Sequence, residues 1–178
     1  MYRVFRISAL GRARVVAFGG LGPLPVGKKM CEVASCGGTS TAASEGKAVV
    51  HLPAGVFYNP VQQFNRDITV ALIRHFQLCH QHEWLQRIKR KIQGGKSQVS
   101  TIYQGLRILE ALSATGIRSV RFALEVPFVD KVVANDLDPK AALLIRENVY
   151  KNRVENYVDV TCEDAIDLMH KHRLYETR

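Results

Sequence analysis

The chain has 178 residues, enough for one ordinary domain, and its composition (47% hydrophobic, 23% charged) is that of a globular protein. No stretch approaches the roughly 18 uninterrupted apolar residues that a membrane span needs, so a membrane protein is not expected. The four cysteines form no CxxC pair, so neither a disulfide framework nor a metal site is expected. The formal net charge is +9, but residues 1–31 supply six basic residues and no acid before Glu32. Charge alone therefore does not indicate a nucleic-acid-binding surface on the rest of the chain.

Residues 1–46 are predicted to be a basic presequence followed by a flexible linker. The first 20, MYRVFRISALGRARVVAFGG, alternate arginines with apolar residues and contain no acid. That pattern is typical of a mitochondrial transit peptide, with a disordered basic tail as the alternative. Residues 35–47, SCGGTSTAASEGK, are small and polar, as in a linker. The sequence favours a mitochondrial location, with the nucleus as a second possibility.

Residues 47–100 are predicted to form a helical segment. Asn59 suits an N-cap, Pro60 the first helical position, and Gln62 the acceptor of a capping box. Gly94 and Gly95 are expected to end the helix. Apolar residues at helical spacing predict one buried face, made of Ile68, Leu72, Phe76 and Cys79.

Residues 101–178 alternate between strand and helix patterns. Strands are predicted over 106–112, up to Asn135 and up to Asp164, and helices over 117–125 and 139–151, the latter with Leu143, Leu144 and Val149 facing inward. This order predicts an α/β fold with three parallel strands and right-handed crossovers, which is half of a doubly wound sheet.

Three features converge at the carboxyl ends of these strands, where such sheets bind ligands. The loop Ser113-Ala114-Thr115-Gly116 contains one glycine, whereas a pyrophosphate loop uses three. Asp136 lies 20 residues after Gly116, the position of a carboxylate that takes a ribose diol. Asp164 is placed to accept a hydrogen bond from an adenine amino group. S-adenosylmethionine, which contains adenosine but no phosphate, fits this pattern better than NAD.

The segments FYNPVQQFNRD, ALSATGIRSVRFALE, VVANDLD and EDA resemble the tRNA guanine-N2 dimethyltransferase family over about residues 55 to 170. Members of that family dimethylate guanosine at tRNA position 26. The resemblance implies the N-terminal half of a Rossmann-like class I methyltransferase domain, S-adenosyl-L-methionine as cofactor and tRNA as partner. The cofactor contacts that it implies fall, together with Gly116 of the loop, on Arg66, Arg118, Asp136, Asp164 and Ala165.

The resemblance also implies a catalytic Asp-Pro-aromatic-Gly motif after a fourth strand, and no such motif occurs before Arg178. We therefore expect the chain to be an incomplete product, with no catalytic residue of its own and no turnover alone. Two other functions stay open from the sequence. One is a non-catalytic module that binds S-adenosylmethionine or RNA and regulates a longer relative. The other is a fragment of an NAD-dependent oxidoreductase, against which the single glycine argues.

Overall fold

The structure is a computed structural model that describes residues 5–7, 14–17, 41–56, 58–95 and 101–174. The strands are β1 (Phe5–Ile7), β2 (Arg14–Ala17), β3 (Thr41–Glu45), β4 (Ala48–Leu52), β5 (Leu106–Glu110), β6 (Val129–Asn135) and β7 (Val158–Thr161). The helices are α1 (Gln63–Gln93), α2 (Ile117–Glu125), α3 (Pro139–Lys151) and α4 (Ala165–Leu174), and a 3-10 turn, Pro60–Gln62, precedes α1.

The predicted parallel sheet is confirmed. β5, β6 and β7 are adjacent and parallel, and α2 and α3 connect them over the predicted residues. The core between sheet and helices contains Leu106, Ile108, Val120, Phe122 and Val132, all at most 2% exposed. The third strand ends at Thr161, before the predicted Asp164, because Asp164 caps the following helix.

The N-terminal region contains strands where a presequence and linker were predicted. β1 pairs antiparallel with β2, and β2 pairs parallel with β5, which makes a five-stranded sheet. Thr41–Glu45, assigned to the linker from composition, is instead β3 of a hairpin with β4. Gly46 makes the turn with a φ of +55°, and Ala43 and Val50 are buried, so the small residues of β3 are held by a partner strand and a core. The remaining residues of 1–40 lie outside the described residues.

Helix α1 ends as predicted, but it begins at Gln63, after the 3-10 turn that Asn59 caps, and it buries a different face. The Asn59 side chain accepts a hydrogen bond from the Val61 amide, and Gly94 caps the end of α1. Ile68, Leu72 and Cys79 are exposed, and only Phe76 of the predicted face is partly buried. The buried residues of α1 are Thr69, Val70, Ile73 and Gln77.

Two ion pairs account for the rotation of α1. Arg66 pairs with Glu45 of β3, and Asp67 pairs with Arg121 of α2 at 2.6 Å. These contacts turn Val70 and Ile73 toward the hairpin and α2. The spacing of apolar residues identified nonpolar positions along α1, but it could not show which face of the helix packs against the rest of the protein. Among the described residues, no helix has both the length and the apolar character needed to cross a membrane.

Helix α3 attaches to the free edge of β4 through two asparagines one turn apart. The Asn152 amide accepts from the Val49 N–H at 3.0 Å and donates to the Val49 carbonyl at 2.7 Å. The Asn148 amide does the same with His51, at 2.7 and 3.3 Å. Leu144 and Val149 face the core as predicted, whereas Leu143 is exposed.

Candidate functional site

The loop between β5 and α2 is a tight turn that depends on Gly116. This glycine has a φ of +75°, and its amide donates to the Ser113 carbonyl at 2.8 Å. A Cβ at position 116 would lie 2.9 Å from Cγ2 of Ile145 on α3. The glycine therefore provides the left-handed conformation and lets α3 approach the loop closely, which is what one of the three glycines does in a dinucleotide loop.

We expect Gly116→Ala to lower the free energy of unfolding by about 2 kcal/mol, because it adds left-handed strain and overlap with Ile145. Gly95→Ala is the matched control, since Gly95 has a φ of +74° but nothing within 4 Å of its Cβ position. It should cost about 1 kcal/mol, from the backbone alone. Urea unfolding of both variants measures the difference, and equal losses would show that the contact with Ile145 is unimportant.

Asp136, directly after β6, is fixed against the loop. Its Oδ2 accepts a hydrogen bond from the Ala114 amide at 2.8 Å, and its Oδ1 accepts from the Asp138 amide at 3.1 Å. Ala114 has a φ of +51°, a left-handed conformation that is unusual outside glycine and that directs its N–H to the carboxylate. The predicted contact residue and the predicted loop therefore form one hydrogen-bonded unit.

Asp164 and Ala165 lie where α4 begins. Oδ1 of Asp164 accepts from the amides of Ile166 and Asp167 at 2.7 and 3.2 Å, as an N-cap does. Among the described residues, no group donates to its Oδ2, and the side chain is exposed. This carboxylate is therefore held in place with one oxygen available for a ligand.

Arg118 lies in the first turn of α2, next to Glu110 at the end of β5. Its Nε is 2.9 Å from Oε1 of Glu110, but the N–H is not directed at that oxygen, so the contact is an ion pair. Within the part of the chain that the structure describes, this buried donor has no hydrogen-bond acceptor. Glu110 is 1% exposed and also accepts from the Ser119 hydroxyl. Burial raises the pKa of Glu110, although Arg118 and the serine hydroxyls oppose that shift.

Arg66, by contrast, is held by the hairpin. Its Nε donates to Oε2 of Glu45 at 2.7 Å, its Nη2 donates to Oε1 of the same carboxylate, and its guanidinium lies 5.4 Å from the Tyr58 ring centroid. Tyr58 also donates its hydroxyl to Glu45 at 2.6 Å. Arg66 is thus oriented from the side of α1 and the hairpin, and it contacts none of the other predicted site residues.

The structure therefore brings together the loop, Asp136, and the Asp164 segment at the carboxyl edge of the sheet. Three exposed apolar side chains lie in the same three connections, one after each strand: Leu112, Leu137 and Ile166. A half-buried carboxylate, Asp136, and an exposed one, Asp164, beside exposed apolar side chains suit a ligand with both a polar ring and hydroxyl groups.

Sequence reasoning missed three buried polar residues that organise the site, namely Glu45, Glu110 and Asn135. Glu110 and Asn135 interrupt or end the apolar runs LRILEAL and VVAN, and a buried polar residue in such a run is the signal that would have identified them. Glu45 had no such signal, because its neighbours are small and polar.

A comparison with protein families finds that residues 38–177 match the model described as N2,N2-dimethylguanosine tRNA methyltransferase. The tRNA (guanine(26)-N(2))-dimethyltransferase of Caenorhabditis elegans is 41% identical in an alignment of length 144 that covers 78% of this chain. The mitochondrial enzyme of that name from Saccharomyces cerevisiae is 38% identical in an alignment of length 155 that covers 72% of this chain. The chain spans 27% of the length of each of these relatives.

Among solved structures, the fold is similar to Trm1 from Pyrococcus horikoshii in complex with S-adenosyl-L-methionine. The TM-score is 0.54 and the sequences are 29% identical, over 72% of this chain and 32% of that one. The likeness supports the class I methyltransferase fold that the strand order indicates.

Proposed function

Because the chain belongs to the N2,N2-dimethylguanosine tRNA methyltransferase family, we propose that it forms the S-adenosyl-L-methionine site of a tRNA guanine-N2 dimethyltransferase. The observation that carries this proposal is the convergence of the one-glycine loop, Asp136 and Asp164 at one edge of the sheet. The similar Trm1 structure from Pyrococcus horikoshii is a complex with S-adenosyl-L-methionine, which supports the choice of this cofactor.

The residues present fit the nucleoside half of this cofactor. Asp136 is proposed to accept hydrogen bonds from the ribose hydroxyls, since each of its oxygens retains a second acceptor site. Oδ2 of Asp164 is proposed to accept from the adenine amino group, with Ala165 beside it. Leu137 and Ile166 offer apolar surface to the purine ring.

They also fit the charged half. Arg118, at the N-terminus of α2, is proposed to face the methionine carboxylate, where the helix end also favours an anion. Arg66 is proposed to reach the same carboxylate through Nη1, because its Nε and Nη2 already donate to Glu45. The carboxylates at the strand ends suit the positive sulfonium, whereas they would repel the pyrophosphate of NAD.

The reaction that this site would serve is a direct displacement. S-adenosylmethionine supplies an electrophilic methyl group when bound. A bond from the exocyclic nitrogen of guanine to that methyl carbon would form as the carbon–sulfur bond breaks, with the electron pair kept by sulfur, and the nitrogen would release its proton to water. The residues of this chain would contribute positioning of the donor and exclusion of water. A target base in a stacked tRNA would have to be flipped toward the site.

Calorimetric titration of the 178-residue chain with S-adenosylhomocysteine and with NAD tests the proposal. We expect binding of S-adenosylhomocysteine only, weakened about 100-fold in Asp136→Ala through the loss of two charge-assisted hydrogen bonds to the ribose. Asp159→Ala, at an exposed carboxylate in β7 that pairs with Lys131, is the control and should bind normally. Preference for NAD would revive the oxidoreductase function, and absence of S-adenosylhomocysteine binding would reject the cofactor site.

We also propose a mitochondrial location. Its support is the basic, acid-free composition of residues 1–31 and the mitochondrial relative from Saccharomyces cerevisiae. Import of the labelled chain into isolated mitochondria, with protection from added protease, would test it. A chain that stays protease-sensitive would argue for another compartment.

A further inference from the structure

Asn135, the last residue of β6, forms a hydrogen-bonded junction at the carboxyl edge of the sheet. It is fully buried. Its Nδ2 donates to the Ala111 carbonyl after β5 at 3.0 Å and to the Glu163 carbonyl after β7 at 2.9 Å. Its Oδ1 accepts from the Thr161 hydroxyl at 2.8 Å and from the Glu163 amide at 3.1 Å. One side chain therefore links the ends of three neighbouring strands.

This arrangement uses the full capacity of a primary amide, which has two donors and one oxygen with two acceptor sites. An aspartate at position 135 would direct carboxylate oxygens at two carbonyl oxygens and would have no hydrogen to donate. A serine or alanine would not reach both sides. The chemistry of the junction thus requires asparagine specifically.

The junction lies between the two proposed nucleoside contacts. Asp136 follows Asn135 directly, and Asp164 follows Glu163, whose N–H and C=O both bind the Asn135 amide. The connection to Ala111 and the hydrogen bond from the Ser113 amide to the Asn135 carbonyl at 2.8 Å also tie in the start of the loop. The positions of both carboxylates therefore depend on the same side-chain amide, that of Asn135.

We propose that Asn135 is the positioning residue that sets the separation of the Asp136 and Asp164 carboxylates, and so the recognition of the adenosine half of the cofactor. The inference rests on the proposed function, because it concerns the same site. Asn135 contacts no ligand atom in this role. It acts through the backbone of Glu163 and through its own chain connection to Asp136.

The test is titration of the chain with adenosine and with S-adenosylhomocysteine, comparing wild type with Asn135→Asp. Both ligands contain the adenosine half, so we expect both affinities to fall by the same factor, about 30-fold. Asn152→Asp is the matched control, because its amide also joins backbone groups but far from the strand ends. That variant should bind both ligands as wild type does.

Thr161→Val provides a second variant that removes only one hydrogen bond to Asn135, in case Asn135→Asp does not fold. It should weaken binding of adenosine about fivefold. If wild type binds neither ligand, the proposed function fails and the inference fails with it. If wild type binds both and the folded Asn135→Asp or Thr161→Val variant retains wild-type affinity for adenosine, the inference alone is wrong. Loss of S-adenosylhomocysteine binding without loss of adenosine binding would likewise contradict it.

Discussion

Replacing Glu45 with glutamine is expected to lower the free energy of unfolding by about 3 to 5 kcal/mol, the largest effect on stability that we foresee for one substitution. The Glu45 side chain is 0% exposed and lies between two guanidinium groups, with Arg66 in a forked contact and Nη1 of Arg121 3.5 Å away. The neutral amide introduced by Glu45→Gln would leave Arg66 without its counter-ion and would remove one of the acids around Arg121, which keeps its ion pairs with Asp67 and Glu125. Urea unfolding at about pH 7, where a carboxyl of ordinary pKa is fully ionised, measures the loss.

The loss should depend on pH. Burial raises the pKa of Glu45, but hydrogen bonds from Arg66 and Tyr58 and the charges of Arg66 and Arg121 outweigh burial and hold the pKa below its usual value. An acid whose pKa is lowered in the folded state stabilises the fold above its unfolded pKa, about 4.3, and loses that contribution as pH falls through the folded pKa. The difference between wild type and Glu45→Gln should therefore shrink as the pH falls below about 4.

Glu83→Gln is the control for that substitution, because Glu83 is half exposed and lies 3.6 Å from Arg87 one turn away on α1. It should cost no more than about 0.5 kcal/mol. Similar losses in the two variants would contradict the account of Glu45 as the buried counter-ion of the hairpin.

Arg66→Lys is expected to weaken binding of S-adenosylhomocysteine about 100-fold while leaving binding of adenosine within about twofold of wild type. Lysine keeps the charge opposite Glu45 but cannot contact two carboxylates at once through a planar fork. Adenosine lacks the amino-acid half of the cofactor, so only the ligand that carries the carboxylate should respond. Parallel titrations with the two ligands measure the split.

Arg74→Lys provides the comparison, since Arg74 is an exposed residue of the same helix. It should leave both affinities unchanged. An equal loss for both ligands in Arg66→Lys would mean that Arg66 supports the fold of the site and does not face the methionine carboxylate. An equal loss for both ligands is expected of Asn135→Asp, whereas Arg66→Lys should weaken only the ligand with the carboxylate. The two variants therefore test the two halves of the cofactor separately.

The sequence was most informative where a residue's role is decided close to it in the chain. Gly116 and Asp136 could be placed because a glycine in a tight turn and an acid at a strand end follow from the local pattern of apolar runs. Helices α2 and α3 were predicted with their observed bounds for the same reason. Asn59 likewise indicated the 3-10 turn that leads into α1, and Gly94 indicated the end of α1.

The sequence was least informative where the partner is distant. Glu45 and Arg66 are 21 residues apart, and Asp67 and Arg121 are 54 apart, yet these pairs decide which side of α1 is buried. The hairpin was missed for a different reason, because its strand Thr41–Glu45 has few side chains of high strand propensity. Asn135 was missed because the four groups that it bonds belong to Ala111, Thr161 and Glu163, which are 24 to 28 residues away.

Asn148 of α3 and Asn152, which directly follows α3, also affect whether strands of other chains can pair with this protein. The outer edge of β4 presents the N–H and C=O groups of Val49 and His51, and an unpaired edge of this kind recruits foreign strands. Asn148 and Asn152 occupy those four groups with side-chain amides, so a helix takes the place of a neighbouring strand. The β4 side of the hairpin that supplies Glu45 therefore offers no template for aggregation.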